Sequence, residues 1–330
     1  MKRRLQRINL IALGWLFLLL LGATIAPTSS PPPNLLLTTV APFHSVHWLG
    51  TDPVGRDVWA SLLAGARATL QISLPAALLS NILGGTLGAI AGYFGNNRLR
   101  IAYGWFAALV LMVSGICALM GPLWQSLGLL VVGAVGLSAG LGWLLSSSRW
   151  GSNLLSVPLD DMIQALIALL DSIPLLMLIL TVAAIQQPSL SGLIALLTIT
   201  CWTTPARLLR AATLRTVPLQ FVMAAEAAGL PPLRIVRKHI WPTIWPVLLA
   251  RIPLSIALII GLETTLSFLG VGLPPEVASW GRLLASSRLA PTAWWLIVCP
   301  GTAIFLTIWS LQALTKAKSS TLLASTDVTK

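Results

Sequence analysis

Acidic residues are scarce in this chain. Nine Asp and Glu stand against twenty-one Lys and Arg, and charged residues together fill 9% of 330 positions. Soluble domains carry about 25%, so a water-soluble globule is excluded and a polytopic membrane protein is expected. Cysteine is as sparse. Cys117, Cys201 and Cys299 are odd in number and sit inside apolar runs, which excludes a disulfide framework and fits small buried hydrophobes. The histidines are His44, His47 and His239, with no H-E-x-x-H, and no metal site is expected. His44 and His47 fit loop residues better than a metal pair. No lysine completes a G-x4-G-K-[ST] loop, so the chain hydrolyses no nucleotide through one. The net charge of +12 suits nucleic acid on its face. The cations lie in short clusters between apolar runs, however, as membrane-flanking charges do, so no nucleic-acid partner is expected.

What the chain has in abundance is hydrophobic residues, 56% of the whole. A helix needs about 20 apolar residues to cross a bilayer. Eight runs qualify, near 8–26, 70–94, 101–120, 127–145, 162–185, 190–206, 247–269 and 293–314. With the N-terminus in the cytosol, the C-terminus is there too. Cytosolic segments then hold Lys2, Arg3, Arg4, Arg7, Arg98, Arg100, Arg149, Arg207, Arg210, Arg215, Arg234, Arg237, Lys238, Lys316, Lys318 and Lys330, whereas external segments hold Arg56, Arg67, Arg282 and Arg288. That asymmetry follows the positive-inside rule. Arg251, just inside the seventh run, fits a snorkelling side chain. The first run is longer than the roughly 7–15 apolar residues of a signal peptide and ends in a poor A-x-A site, so it is expected to stay as a span. The tryptophans fall mostly near span ends, among them Trp202, Trp245, Trp294 and Trp295, as an interfacial belt would place them.

Between these runs, three segments have shape. Residues 27–69 open on a proline spacer and reach Asp52-Pro53, which reads as an N-cap followed by proline at the first helical position. A short interfacial helix is predicted there, with Val58, Trp59, Leu62, Leu63 and Ala66 on one face, ahead of the second span. Residues 270–292 are Gly- and Pro-rich and are expected to fold back toward the membrane. Residues 221–242 form a basic amphipathic insert between two spans. Phe221 to Ala228 can make a short helix, with Ala224 and Ala225 small enough for close approach. Gly229 is placed to end it left-handed. Pro231 and Pro232 can open a second helix with Leu233, Val236 and Ile240 on one face and Arg234, Arg237 and Lys238 toward water. These features alone fit a solvated loop as well as a docking hairpin.

The insert resembles the cytosolic loop of binding-protein-dependent ABC importer permeases, with general pattern E-A-A-x3-G-x9-I-x-L-P. Ala224, Ala225, Gly229 and Pro242 match; Met223 stands for the Glu and Trp241 for the Leu. The form A-A-x3-G…R-I-x3-H-I-x-P, which includes Glu226, Arg234 and the run to Pro242, is closer to the dipeptide and oligopeptide (nickel) family. Residues 49–57, LGTDPVGRD, with Gly50, Asp52, Gly55, Arg56 and Asp57, then Gly65 to Arg67, resemble the external segment of its C-type subunit. Similar matches are GYFG at 92–95, ARLLRA at 206–211, LSFLGVG at 266–272 with Pro274, Pro275 and Ser279 to Gly281, and Pro300-Gly301. The chain is identified as resembling that family over most of its length outside 101–157.

The family core has six spans, and residues 101–157 intervene with Ile101–Met120 and Leu127–Leu145 as an added transmembrane hairpin. The expected fold is therefore all-α with about eight transmembrane helices. Its parts are the first helix and external segment (1–69), a core helix (70–100), the inserted hairpin (101–157), the permease core (158–314) with a coupling loop at 207–246, and a cytosolic tail (315–330). The family's Asp in the following span is Ala168 here, with Asp171 one turn later, and its C-terminal pattern is replaced by Thr315 to Ser320. Asp171 and Glu263 lie in apolar spans, where a charge costs about 2.5–3.5 kcal/mol. They fit either a lining of the pathway or a satisfied interhelical bond. Pro174 and Pro205 are candidate kinks.

The resemblance implies a permease of the bacterial inner membrane that works with a homologous second permease, two cytosolic ATPase subunits and an external substrate-binding protein. It would bind no cofactor itself, ATP and Mg being used by the partners, and would carry peptides or similar small solutes. Two alternatives remain open: a secondary transporter, or a non-transporting membrane assembly subunit.

Overall fold

The computed structural model describes residues 2–26, 32–43, 47–98, 100–102, 154–185, 189–271, 273–274 and 276–326. The chain is mostly helical. Its elements are α1 (Lys2–Ile25), α2 (Val58–Phe94), β1 (Arg100–Ala102), β2 (Leu154–Ser156), α3 (Leu159–Asp171), α4 (Leu175–Ile185), α5 (Leu190–Cys201), α6 (Thr203–Thr216), α7 (Gln220–Ala227), α8 (Pro232–Ile235), α9 (Trp241–Phe268), α10 (Trp280–Ser286) and α11 (Trp295–Thr326), with a π turn at Val236–Ile240 joining α8 to α9. Contacts divide the chain into two compact units, one of residues 1–89 with 167–330 and one of 90–166.

In the larger unit, α9 and α11 pack along each other, α1 lies on α11, and α6 lies on α9. Ala12, Leu19 and Ala23 form the buried stripe of α1, while Leu10, Leu13, Phe17, Leu18 and Leu21 face outward. Large apolar side chains pointing outward are what a helix in lipid requires. Trp15 Nε1 donates to Thr307 Oγ1 at 3.1 Å, fixing α1 on α11. Glycines let α2 meet α6 backbone to backbone. A Cβ on Gly84 would stand 2.2 Å from the Trp202 carbonyl oxygen, and one on Gly88 would stand 2.1 Å from that of Ala206.

Among the described residues, three helices are long and apolar enough to cross a membrane, Val58–Phe94, Pro232–Phe268 and Trp295–Thr315. Two bent pairs raise the number to as many as five: α3 with Leu175–Ala183 at 77°, and α5 with α6 at 40°. Both breaks sit where the sequence places proline. Pro174 has no N–H to give the Leu170 carbonyl and Pro205 none for Cys201, so the helical ladder is interrupted at each.

The structure corrects several expectations here. The interfacial helix before the second span is not separate: α2 runs unbroken for 37 residues, with no breaker between Ala66 and Leu70. Asp52 does not cap it. Gly55 adopts φ +78°, which no helix tolerates, and the cap is Asp57, whose Oδ1 accepts from Trp59 N at 2.7 Å and Ala60 N at 3.2 Å. Trp202 and Trp295 are buried in protein and not held in a belt.

In the smaller unit, Gly95 at φ +54° ends α2, and the Arg98 guanidinium lies 4.8 Å from the Tyr93 ring centre. A short ribbon is added to the helices here: β1 and β2 pair antiparallel, Arg100 opposite Ser156 and Ala102 opposite Leu154. Ile101 and Ala102, expected to begin a span, are strand residues because the two ends of this segment meet and satisfy each other's backbone. The remainder of the expected hairpin lies outside the described residues.

Candidate functional site

The hairpin between α6 and α9 is built by one glycine and three prolines. Gly229 takes φ +73° and closes α7 with paired bonds, Leu230 N to Ala225 O at 3.2 Å and Gly229 N to Glu226 O at 2.9 Å. This is the left-handed helix ending expected of that glycine. Pro231, extended at ψ 142°, caps α8, and Pro232 opens it. Beyond Ile235 the helix widens by one residue, with Trp241 N donating to Val236 O five residues back. Pro242 follows directly. It cannot donate to Lys238 and its ring would crowd that carbonyl, so a wider turn relieves both problems.

That extra residue reverses part of the expected pattern. Ile235 and Ile240, five apart, are both buried, whereas Leu233 is 74% exposed. Within α7, Ala225 turns inward with Val222, while Phe221, Met223 and Ala224 are exposed. The hairpin therefore exposes the apolar Phe221, Met223, Ala224 and Leu233 as well as the basic Arg234, Arg237 and Lys238.

The two acids have different surroundings. Asp171 ends α3 at the 77° break and accepts from the Arg207 guanidinium on α6. In sequence Arg207 is only a membrane-flanking charge, and nothing local links it to Asp171. The carboxylate also borders a cavity of about 200 Å³ shared with Pro174, Thr200, Cys201, Thr204 and Leu258. Glu263 has no exposure. Ser267 Oγ, one turn on, donates to its Oε1 at 2.9 Å, and Thr69 Oγ1 from α2 approaches Oε2 at 3.4 Å. It forms a closed interhelical contact.

The segment 49–57 is a folded knot. Gly50 at φ +76° lies against the Val40 backbone, and a Cβ on Gly55 would overlap the Asn34 carbonyl. Asp52 Oδ1 accepts from Val54 N at 2.9 Å and Arg56 N at 2.8 Å. Asp57 Oδ2 meets His47 Nδ1 at 2.7 Å, which accounts for His47 without a metal; His44 lies outside the described residues. Among the described residues no cluster suited to a metal is found. The knot is tied to α11 by Trp295 Nε1, which donates to Thr51 O at 3.1 Å.

The 270–292 segment packs against the helices through Trp280. Trp280 is buried beside Leu19, Ala23 and Ala66 and donates to Leu62 O at 2.9 Å. Arg282, in sequence only one of the external cations, donates from its guanidinium to the carbonyls of Leu273, Pro274 and Val277 at 2.7–2.9 Å. Burial pushes Arg282 below its ordinary value, the charge of Arg56 adds to this, and Glu276 and Glu263 oppose it. Together Asp52, Arg56, Ser61, Arg282 and Leu289 line a second cavity of about 280 Å³.

Comparison with known proteins places these features. A peptide transport system permease protein of Brucella suis is 30% identical over 308 residues, covering 92% of this chain and 82% of that protein. The dipeptide permease DppC of Bacillus subtilis is 26% identical over 323 residues, 94% and 81% of the two chains. The oligopeptide permease OppC of Bacillus subtilis is 23% identical over 313 residues, 94% and 83%. These comparisons give no support to a secondary transporter or an assembly subunit. Residues 140–319, which hold the hairpin, both acids and the 270–292 segment, match the inner membrane components of binding-protein-dependent transport systems; the chain belongs to that family and is a membrane permease subunit of an ABC importer.

Proposed function

We propose that this chain carries peptides or similar small solutes, that its hairpin at 217–240 receives a cytosolic ATPase, and that its knot at 49–57 faces outside. In this reading eight spans cross the bacterial inner membrane, six of the family core and two from the inserted segment, with both termini in the cytosol. The chain pairs with a homologous second permease, two ATPase subunits and an external binding protein. ATP and Mg serve the ATPases, and this subunit performs no covalent chemistry.

The observation that carries the reading is the hairpin. A turn closed by Gly229 and opened again by Pro231 and Pro232 exposes four apolar side chains and three basic ones between Phe221 and Lys238. So many exposed apolar residues on one short polar hairpin support a docking surface. The continuous helix from Pro232 to Phe268 then runs from the hairpin into the membrane. Movement at the hairpin is passed to α9 as rigid-body displacement. Asp171 and its cavity lie at the break in one bent pair, where the pathway is expected. The peptide substrate class rests on the names of the relatives.

Gly229→Val tests the coupling role. No atom lies within 4 Å of a Cβ there, so the substitution acts through φ alone, with a strain of about 1–2 kcal/mol or more for a β-branched residue. In proteoliposomes holding the assembled importer, ATP hydrolysis is expected to persist while uptake per ATP falls. Unchanged uptake per ATP would remove the hairpin from the coupling path. A Gly229→Cys label that reacts with an impermeant reagent from outside intact cells would overturn the orientation.

A further inference from the structure

Two helix breaks meet at one cavity. Pro174 deprives the Leu170 carbonyl of its helical N–H, and Pro205 does the same to the Cys201 carbonyl. Leu170, Asp171 and Cys201 all border the cavity of about 200 Å³ at the α3 break, together with Thr203 and Thr204. Helix carbonyls point along the axis toward the C-terminal end, where the negative ends of the peptide dipoles gather. Leu170 and Asp171 close α3 and Cys201 closes α5, so two such ends serve the same space. Within a membrane, backbone groups outside the helical ladder are tolerated only against protein or a watered cavity.

The side chains add to this wall of acceptors. Arg207 bonds Asp171 through Oδ2, and Oδ1 takes no part in that bond. Thr198 and Thr200, inside α5, turn their hydroxyls onto the carbonyls of Ile194 and Leu196 at 2.8 Å. Thr203 and Thr204, in the first turn after the break, make no such bond among the described residues. The rest of the lining is hydrocarbon, with Ile173, Leu178 and Leu258. A primary ammonium has three N–H groups to donate and nothing to accept with, and it comes attached to an apolar stem, so both kinds of lining are matched. A bare metal ion would leave the hydrocarbon unmatched. Sites that enclose a whole small molecule span about 300–1,000 Å³, so a space of about 200 Å³ takes one end of a solute.

We propose that this cavity is a subsite for a primary ammonium group, the amino terminus of a peptide solute, which donates to Asp171 Oδ1 and to the Leu170 and Cys201 carbonyls. The assignment deepens the reading of the chain as a peptide carrier and rests on it for the identity of the solute. The two carboxylate oxygens divide their roles: Oδ2 ties α3 to α6, and Oδ1 meets the passing charge. The permease thereby distinguishes free from blocked amino termini within the membrane, whatever selection precedes entry.

The test uses the complete importer in lipid nanodiscs carrying Leu258→Cys, at an exposed position on the cavity lining. Modification by N-ethylmaleimide is read at residue 258 by mass spectrometry. Alanylalanine amide at millimolar concentration is expected to slow modification about fivefold, and its N-acetylated form to leave the rate unchanged. Asp171→Asn still accepts from Arg207 but lacks the charge, and should raise the protecting concentration about tenfold. Co-purification of the ATPase checks assembly. Should Asp171→Asn fail to assemble, Pro205→Ala, which returns an N–H to the Cys201 carbonyl, is expected to weaken protection likewise. The proposal is overturned by no protection from alanylalanine amide, by equal protection from the acetylated probe, or by full protection in assembled Asp171→Asn. Protection by sodium chloride but not choline chloride would mark a metal-ion site and overturns it too. Equal protection by N-acetyllysine amide, whose ammonium ends a long stem, overturns the amino-terminal assignment. An importer that shows the expected protection yet accumulates no peptide is a different result: the ammonium site stands and the peptide reading falls.

Discussion

Asp171, the last residue of α3, is hydrogen-bonded to Arg207 of α6, which ties the end of one bent helix pair to the second half of another. The carboxylate therefore stands on the break itself.

The pair is only partly sheltered, with side chains 36% and 53% exposed, so its contribution to stability is about 1 kcal/mol or less after solvent screening. Its effect should show in function. Asp171→Arg and Arg207→Asp singly are expected to lower uptake severalfold, and the double exchange to recover most of it. A double variant no better than the worse single one would show that the pairing is incidental.

Glu263 behaves as an interior hydrogen-bond acceptor. Glu263→Ala leaves the Ser267 hydroxyl without a partner in a closed site, a loss of about 1–3 kcal/mol. Glu263→Gln keeps one acceptor and should lose less. Thermal unfolding in detergent gives the ranking, and equal losses would contradict the geometry.

Gly88 should be intolerant of even one carbon. An alanine there would bring its Cβ to 2.1 Å from the Ala206 backbone oxygen, and parting α2 from α6 costs about 1–3 kcal/mol. Gly301, with nothing within 4 Å, is the control. Expression and unfolding temperature of Gly88→Ala against Gly301→Ala measure the difference.

The helix cap gives a cheaper check. Asp57→Ala should destabilise α2 by about 1 kcal/mol, while Asp57→Asn, which retains an acceptor, should be milder. Hydrogen exchange at Trp59 and Ala60 reports the loss directly.

Much of this was legible in the sequence because its causes are local. Apolar run length placed the long helices, proline placed both breaks, and Gly229 followed by two prolines gave the hairpin turn. What misled was a change of helical period. Leu233, Val236 and Ile240 fit one face at 3.6 residues per turn, but Pro242 forces a five-residue turn upstream, and Ile235 takes the inward place. The Asp52 cap failed similarly: Asp-Pro starts a helix only if the next residues stay helical, and Gly55 does not. Arg207 and Arg282 acquire their roles from partners as far as 36 and 9 residues away, and no spacing rule joins such groups. Trp202 and Trp295 show the same limit, since a tryptophan near a span end is equally at home inside the protein.

The β1–β2 ribbon has a practical consequence. Ala102 and Leu154 face each other as neighbouring rungs, roughly 5 Å apart as paired strands are, so the polypeptide resumes its course almost where it left it. An Asn-Gly dipeptide, the tightest natural link between antiparallel strands, would join them in place of everything from 103 to 153. The chain thereby carries its own scissors marks, and a shortened version that still inserts and still transports would show the excised stretch to be an accessory.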